Sequence, residues 1–180
     1  MLRFYKNKAQ FQAFYLKLKL MRCPHCNASG CLILHGYLDG NSDRGNERIR
    51  RGHRIYCSNR HKKGGCGKTF SVLKAAVLPG LTIGAHRLWR FLENIKNGLN
   101  PARAFQMAGC PMVQSSAYRL VKKFIAAQTR IRSFLSRIKA PPPAQVQSPA
   151  IQTILHLHRV FGDTACPITD FQCRFQTKFF

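Results

Sequence analysis

Two short stretches of the sequence decide the fold: Cys23-Pro24-His25-Cys26 and Cys57-Ser58-Asn59-Arg60-His61-Lys62-Lys63-Gly64-Gly65-Cys66. Each stretch has a cysteine at both ends, and thirty residues separate the two pairs. Two turns that each present two thiolates supply the four ligands that tetrahedral Zn²⁺ takes in structural sites. We therefore predict one structural zinc ion, held by Cys23, Cys26, Cys57 and Cys66. His61 lies in the second stretch and could replace Cys57 or Cys66 as a ligand.

The other thiols and imidazoles carry weaker signals. Cys31 and Cys110 fit packing positions on a strand and in a turn. The four paired cysteines could instead be ordinary buried thiols, but that would leave the glycine-rich turns around them unexplained. A redox role for Cys23 and Cys26 would need a surrounding βαβ pattern, which the sequence does not show. We expect core or surface positions, and no second metal site, for four residues of the last segment: His156, His158, Cys166 and Cys173.

The part of the chain around the two pairs predicts a three-stranded sheet. Its β-rich runs are residues 32–34 with Tyr37, residues 54–56 and residues 69–73. Such a sheet is too small to fold by hydrophobic burial alone, so metal binding of roughly 10–16 kcal/mol would stabilise it. Residues 39–46 are all turn-forming and predict an exposed loop. We assign residues 22–80 to this zinc ribbon.

Residues 1–21 form an N-terminal extension with two open interpretations. The alternation Leu16-Lys17-Leu18-Lys19-Leu20 fits an edge strand. The following Met21 equally fits a start of translation, in which case the preceding residues are read from upstream. The extension lacks the basic-then-apolar order of a secretory signal, so we expect reduced, intracellular thiols.

Beyond residue 80 the apolar spacing becomes helical, and residues 81–139 predict a helix-turn-helix domain. The first helix has apolar residues at three-and-four spacing and ends near Gly98, which fits a C-terminal cap. Asn100-Pro101 begins a short second helix that ends at a turn over residues 109–111. A long third helix over residues 115–139 stops before a run of prolines.

The remaining chain is a proline-rich linker over residues 140–150 and a short helical tail over residues 151–180. The whole is therefore a small α+β protein. The third helix also carries an apolar stripe with four-three spacing: Ala117, Val121, Phe124, Gln128, Ile131, Leu135 and Ile138. This stripe could form the seam of a homodimer, or it could pack on the first helix and the tail of the same chain.

Charge gives the strongest indication of a partner. Thirty Lys and Arg stand against six Asp and Glu, a formal net charge of +24, so a broadly docking partner should be polyanionic. Residues 21–80 carry eleven basic and three acidic side chains, residues 82–139 carry eleven and one, and residues 140–180 carry three and two. Binding should concentrate before residue 140. No run approaches the roughly 20 apolar residues of a membrane span, and no small-molecule substrate is evident.

We expect double-stranded DNA to contact both basic segments. The last helix of a helix-turn-helix lies in the major groove, where Arg119 could read guanine, Gln114 could read adenine, and lysines could contact phosphate. A solvated amphipathic helix is the alternative for the same face. The predicted contacts are Arg60, Lys62, Lys63 and Lys68 beside the cysteines, and Gln114, Ser115, Ser116, Tyr118, Arg119, Lys122 and Lys123 on the third helix.

One known family shares this combination of motifs. The shared positions are Cys23-Pro24-His25-Cys26, Gly36, Arg54-Ile55-Tyr56-Cys57, Cys66-Gly67-Lys68-Thr69-Phe70-Ser71, Gly98-Leu99, Arg103-Ala104, Gly109 and Ser116. Over residues 22–125 the chain resembles the zinc-ribbon plus helix-turn-helix region of bacterial insertion-sequence transposases and their DNA-binding accessory proteins. The resemblance implies recognition of the terminal inverted repeats of a mobile element, a transposase catalytic chain as a partner, and a place on the bacterial nucleoid in the cytoplasm.

The resemblance implies that catalysis of the transposase kind would need three carboxylates that hold two divalent metals. The acidic residues are Asp39, Asp43, Glu47, Glu93, Asp163 and Asp170, and they suggest no such triad, with Glu93 expected to face solvent. We therefore predict a zinc-dependent DNA-binding protein that is not an enzyme. One alternative is a truncated or divergent transposase that acts with a separate catalytic chain. Another is an RNA- or ribosome-associated zinc ribbon, in which Tyr37, Tyr56 and Phe70 would stack on bases if they were exposed.

Overall fold

A four-stranded mixed sheet and six α-helices make up the computed structural model, which describes residues 2–43, 47–60, 64–143, 148–162 and 164–180. The strands are β1 (Leu2–Tyr5), β2 (Leu32–Asn41), β3 (Arg48–Cys57) and β4 (Thr69–Lys74). The helices are α1 (Lys8–Leu16), α2 (Ala85–Lys96), α3 (Pro101–Met107), α4 (Ser115–Leu135), α5 (Pro149–Phe161) and α6 (Pro167–Phe175). The prediction of a small α+β protein is confirmed.

The sheet has one strand more than the sequence predicted. Its order is β1-β4-β3-β2, in which β1 runs parallel to β4 and the other pairs are antiparallel. The extra strand comes from the N-terminal extension, because β1 buries Phe4 and Tyr5 against the sheet. The alternating residues 16–20 are not a strand. They end α1 and form a 3-10 turn in which only Leu18 is buried.

The hairpin between β2 and β3 is longer than predicted. The sequence predicts an exposed loop that begins at Asp39, Gly40 and Asn41. In the structure these three residues lie in β2, opposite residues 48–50 of β3. Ladder pairing with β3 therefore outweighs the turn preference of these three residues. The N–H of Ser42 donates to the carbonyl of Glu47 at 2.7 Å and continues the hairpin. Residues 44–46 of the predicted loop lie outside the described residues.

The helices begin and end close to the predicted positions, for the predicted reasons. Asn100 caps α3 by accepting a hydrogen bond from the N–H of Arg103 at 2.9 Å, with Pro101 at the first helical position. Gly98 and Gly109 follow α2 and α3 with φ of 88° and 65°, which a side chain would disfavour. The long helix α4 ends at Leu135 instead of Lys139, because the chain turns there and leads towards α5.

The apolar stripe of α4 is buried within the chain. Phe124, Ile131 and Leu135 have 1%, 0% and 0% of their surface exposed, and they share one core with α2, α5 and α6. The stripe is therefore occupied inside the chain, as the packing alternative predicted. The indole of Trp89 on α2 is covered by His158 of α5, whose ring lies 4.9 Å away in an edge contact.

Side chains of the last segment join the sheet to the helices. The amide of Gln176 both accepts from the N–H of Phe4 at 2.9 Å and donates to its carbonyl at 3.0 Å. Lys6 forms an ion pair with Asp170.

Arg51 of β3 connects the hairpin to the segment before α2. Its guanidinium donates to a carbonyl on each side of a turn: Leu78 at 3.2 Å and Leu81 at 2.6 Å.

Candidate metal centre and nucleic-acid interface

The four predicted ligand cysteines lie together at one end of the sheet. All four sulfur atoms are within 4.8 Å of one another, with Cys23 Sγ 3.8 Å from Cys66 Sγ and Cys26 Sγ 3.7 Å from Cys57 Sγ. They could hold a metal ion. Among the described residues no other group of three or more His, Cys, Asp or Glu side chains has such an arrangement. His61, the alternative ligand, lies outside those residues.

Main-chain turns present the sulfurs. In the first turn the N–H of Cys23 donates to Ala28 and the N–H of Asn27 donates to Cys23, while Asn27 takes a positive φ of 62°. In the second, the N–H of Cys57 donates to Lys68 and the N–H of Gly67 donates back to Cys57. Both turns are hydrogen-bonded into the end of the sheet, so the thiols keep their positions through the backbone.

Cys23 and Cys57 differ in how readily their thiols ionise. Burial disfavours the Cys23 thiolate, but the main-chain N–H groups of His25 and Cys26 outweigh it and lower the pKa of Cys23 to about 7. Burial raises the pKa of Cys57 to about 12, against the N–H of Cys66, which donates to its sulfur at 3.4 Å. Cys23 is therefore better prepared than Cys57 to begin coordination, and the charge of a bound cation would have to ionise Cys57.

The predicted DNA contacts lie at two separate places on the surface. Arg60 and Lys68 are exposed beside the cysteine turns, while Lys62 and Lys63 lie outside the described residues. The predicted residues around the first turns of α4 are exposed, except for the half-buried Ser116. The exposed ones are Gln114, Ser115, Tyr118, Arg119, Lys122 and Lys123. The described ones therefore come from two parts of the fold, the cysteine end of the sheet and the start of α4.

A basic cleft that the sequence did not predict lies between the β2–β3 hairpin and α2. Its cavity of about 540 Å³ extends from the hairpin to the end of α3. The basic side chains that line it come from β3, β4 and α2, and among the described lining residues Asp43 is the one acidic side chain. We use the name basic cleft for the cavity lined by Arg50, Arg51, Lys74, His86, Arg87 and Arg90.

The six basic side chains of the cleft have different tasks. Arg51 holds the main chain at Leu78 and Leu81, and Arg87 pairs with Asp43 at 3.2 Å, so these two build the walls. The other four are exposed: Arg50, Lys74, His86 and Arg90. They are up to forty positions apart in the sequence, and only the run Arg48-Ile49-Arg50-Arg51 gave a local signal.

The cleft and the cysteine cluster lie towards opposite ends of β3. Arg51 and Cys57 are six residues apart on that strand, which corresponds to roughly 20 Å at about 3.3 Å per residue. The helices pack near the hairpin end, where Arg51 contacts the segment before α2. A metal ion between the cysteines would therefore support the sheet from the end that faces away from the cleft.

The remaining predicted groups are engaged in local contacts. Glu93 is half-buried and not fully solvent-facing, because its carboxylate contacts His158 at 2.7 Å and Lys96 at 3.2 Å. His156 is buried and lies 2.9 Å from the carbonyl of Lys139. Of the three aromatic residues considered for base stacking, Phe70 is buried, Tyr56 is half-buried and Tyr37 is 53% exposed.

No helix of the described residues is long and apolar enough to cross a membrane. Comparison of the chain with protein-family models, with curated proteins and with solved structures found no match to any of them.

Proposed function

We propose that this chain is a zinc-dependent protein that binds double-stranded DNA and has no catalytic activity of its own. The observation that carries the proposal is the basic cleft, in which six basic side chains and one acidic residue surround an open cavity. A cavity with this charge favours a polyanion, and the phosphate backbone of a DNA duplex is the polyanion that we propose.

Zinc is the metal that the cysteine cluster favours. Four thiolates at a Zn–S distance of about 2.3 Å form a tetrahedron whose edges are about 3.8 Å. Two of the sulfur pairs, at 3.8 and 3.7 Å, agree with that edge. A set of four sulfur ligands leaves no open coordination position, so we propose a structural and not a catalytic zinc ion.

The zinc ion would support DNA binding indirectly. The core around the cysteines is small, and it includes Cys23 and Cys57 themselves along with Leu32, Ile55 and Phe70. A sheet of this size needs a further source of stability. Because the sheet carries Arg50 and Lys74 on its other end, loss of the metal would disorder one wall of the basic cleft.

The helices α3 and α4 would provide sequence recognition as a helix-turn-helix. Their connecting turn adjoins the basic cleft, since Thr82 of the cleft donates to the sulfur of Met112 at 3.2 Å. The first turns of α4 follow directly and expose Gln114 and Arg119, which suit adenine and guanine, and Lys122, which suits phosphate. A duplex in the cleft would thus pass the proposed recognition helix.

The described acidic side chains support a role without catalysis. Asp39, Asp43, Glu93 and Asp170 each contact a basic side chain, and they come from three parts of the fold: the β2–β3 hairpin, α2 and α6. A two-metal cleavage site needs several carboxylates at one place. If the chain acts in transposition, as its resemblance to transposase regions suggests, we propose that a separate chain cuts the DNA.

The test is selection of random-sequence duplexes by zinc-loaded protein near physiological salt, followed by measurement of affinity for the enriched sequence. We expect an enriched motif, and we expect chelation to abolish specific binding. The double variant Lys74→Glu/Arg90→Glu should weaken binding and lower the slope of log K against log salt by about 0.9 per lost phosphate contact. The double variant Lys17→Glu/Lys19→Glu, with two exposed changes at the end of α1 and just after it, is the charge-matched control. Retention without a motif, or equal losses in the cleft and control variants, would contradict the proposal.

A further inference from the structure

A second cavity lies beside the basic cleft, between α1 and the sheet. Its volume is about 670 Å³, and five aromatic or imidazole rings contribute to its lining. We use the name aromatic groove for this cavity and its rings, which are Tyr5, Phe11, Tyr15, Tyr37 and His53. Its walls are therefore flat and apolar where those of the basic cleft are charged.

The rings are arranged as a ladder that is open on one side. Phe11 stacks on His53 with centroids 3.7 Å apart and planes inclined by 11°, and Tyr37 meets His53 edge-on at 5.4 Å. The ladder ends in rings that the chain leaves exposed, since Tyr15 and Tyr37 have 49% and 53% of their surface accessible. About half of the surface of each tyrosine is therefore open to a ligand, although the Arg50 guanidinium lies over one face of Tyr37.

Cations and a buried polar atom complete the groove. Lys8, Arg50 and Lys74 line it, and no acidic side chain is among the lining residues that the structure describes. The guanidinium of Arg50 lies 3.4 Å above the ring of Tyr37. The buried Nδ1 of His53 has no hydrogen-bond partner among the described residues, and burial, followed by Arg50 and Lys74, lowers the pKa of this imidazole. Burial therefore favours the neutral ring, which can accept or donate one further hydrogen bond.

The groove and the basic cleft are joined by two shared side chains. Arg50 and Lys74 line both cavities. A polyanionic strand that leaves the cleft past these two cations would enter a space walled by aromatic rings. Exposed rings that are interleaved with cations are the combination by which proteins hold unpaired bases, because every base has a π-face and every nucleotide a phosphate.

We propose that the aromatic groove binds unpaired bases of a DNA single strand that continues from a duplex held in the basic cleft. The bases stack on Tyr37 and Tyr15, and Arg50 and Lys74 contact the phosphates at the junction. The duplex part of this inference rests on the proposed function, whereas the binding of unpaired bases rests on the groove alone. Stacking of this kind tolerates any base sequence.

The experiment compares three fluorescent probes on the unmodified, zinc-loaded chain: a blunt duplex, the same duplex with a short thymidine overhang, and the same duplex with an abasic overhang of equal length and charge. Both overhang polarities are measured. We expect the thymidine overhang to bind about fivefold or more tightly than the abasic one for each base that stacks. Equal affinity for the thymidine and abasic overhangs would overturn the proposal, whatever the affinity for the blunt duplex.

Variants locate the effect and separate the two proposals. Tyr37→Ala and Tyr15→Ala should each remove part of the preference for the thymidine overhang, while blunt-duplex affinity stays within about twofold. Leu20→Ala, which removes an 82% exposed apolar side chain outside the groove, is the control and should keep the preference. A preference that survives both tyrosine changes would overturn the assignment to this groove. Weak binding of every duplex with a retained preference for thymidines would instead contradict the proposed function.

An RNA overhang of the same sequence tests the commitment to DNA. Stacking of bases on tyrosine rings and contacts to phosphates do not involve the 2′-hydroxyl. We therefore expect uridine and thymidine overhangs to bind within about threefold of each other. An RNA overhang that binds tenfold more tightly would overturn the assignment to DNA and favour an RNA-binding role.

Discussion

The side-chain amide of Gln172 donates a hydrogen bond to the carbonyl of Ala75 at 2.7 Å, across ninety-seven positions of the sequence. The same nitrogen donates to the carbonyl of Val77 at 2.9 Å, and the amide oxygen accepts from the N–H of Phe179 at 3.1 Å. Gln172 is completely buried. One side chain of α6 therefore pairs three main-chain groups where the sheet passes into the helices, and the last segment is part of the fold instead of an appended tail.

Replacement of Gln172 should destabilise the whole protein. Gln172→Leu keeps the approximate volume but leaves two buried carbonyls and one N–H without partners, so we expect a loss of about 2–4 kcal/mol in the free energy of unfolding. Urea denaturation followed by Trp89 fluorescence measures this. Gln106→Leu, an exposed change on α3, is the matched control and should stay within about 0.5 kcal/mol. Similar losses of unfolding free energy in both variants would show that the buried amide of Gln172 contributes no more to stability than an exposed side chain does.

Gly65 should be needed for metal binding although it supplies no ligand. A Cβ atom at this position would lie 2.1 Å from the carbonyl oxygen of Ser58 and 2.9 Å from the sulfur of Cys57. At the neighbouring Gly64 a Cβ atom would meet nothing within 4 Å. Gly65→Ala should therefore force the second turn apart, at a cost of about 1–3 kcal/mol, or about fivefold to 150-fold in zinc affinity.

Gly64→Ala is the control for this change, since it alters the adjacent residue in the same way without the steric conflict. Zinc content by mass spectrometry and competition with a chromogenic chelator give the affinities. We expect one zinc ion per chain in the unmodified protein and in Gly64→Ala. Equal zinc affinity in the two variants would contradict the geometry of the second turn.

Much of the architecture could be predicted from local signals. The cysteine pairs at residues 23–26 and 57–66 and the Asn100-Pro101 start of α3 act through neighbours in the sequence, and they appear where predicted. The fourth strand could not be predicted in this way. Residues 2–5 pair with β4, about seventy positions away, and no turn motif or residue spacing in the sequence predicts that pairing. The same reason explains the longer hairpin, in which pairing with β3 outweighs the turn preference of residues 39–41.

The candidate site was only partly predictable for a related reason. The basic cleft combines Arg50 of β3, Lys74 of β4 and Arg90 of α2, which only the tertiary fold brings together. Sequence reasoning instead favoured basic residues next to the cysteines, such as Lys68, which lie at the other end of the sheet. Total charge indicated a polyanionic partner, but its distribution over the surface depends on how sheet and helices pack.

Two residues of α4 should affect DNA binding in different ways if the proposed recognition helix is correct. Arg119→Ala would remove a contact to a base edge, so it should cost about 1–3 kcal/mol on the selected sequence and relax preference at one base pair. Lys122→Ala would remove a phosphate contact, so it should weaken all duplexes alike and reduce the salt slope by about one. Selection repeated with each variant distinguishes the two. Unchanged preferences in Arg119→Ala would assign base recognition to other residues.

The thiol of Cys110, in the turn between α3 and α4, should react slowly with alkylating reagents at neutral pH. Burial raises the pKa of Cys110 to about 11, although Arg87 lowers it. The thiolate is the reactive form, so the alkylation rate of the folded chain should rise about tenfold per pH unit from pH 8 to 10. In urea, where the thiol regains its ordinary pKa, the rate should level off above about pH 9.

The raised pKa of Cys110 also makes the free energy of unfolding depend on pH. Between the unfolded and folded pKa values the folded chain keeps a proton that the unfolded chain has lost, so the stabilisation is complete below the unfolded pKa and is lost as the pH rises towards 11. Cys110→Ser replaces the titrating thiol with a hydroxyl that stays protonated, so it should make the unfolding free energy less dependent on pH between about 9 and 11. Peptide mapping of the alkylated protein by mass spectrometry assigns the rates to Cys110. A rate that levels off near pH 9 in the folded chain would show that the turn leaves this thiol open to solvent.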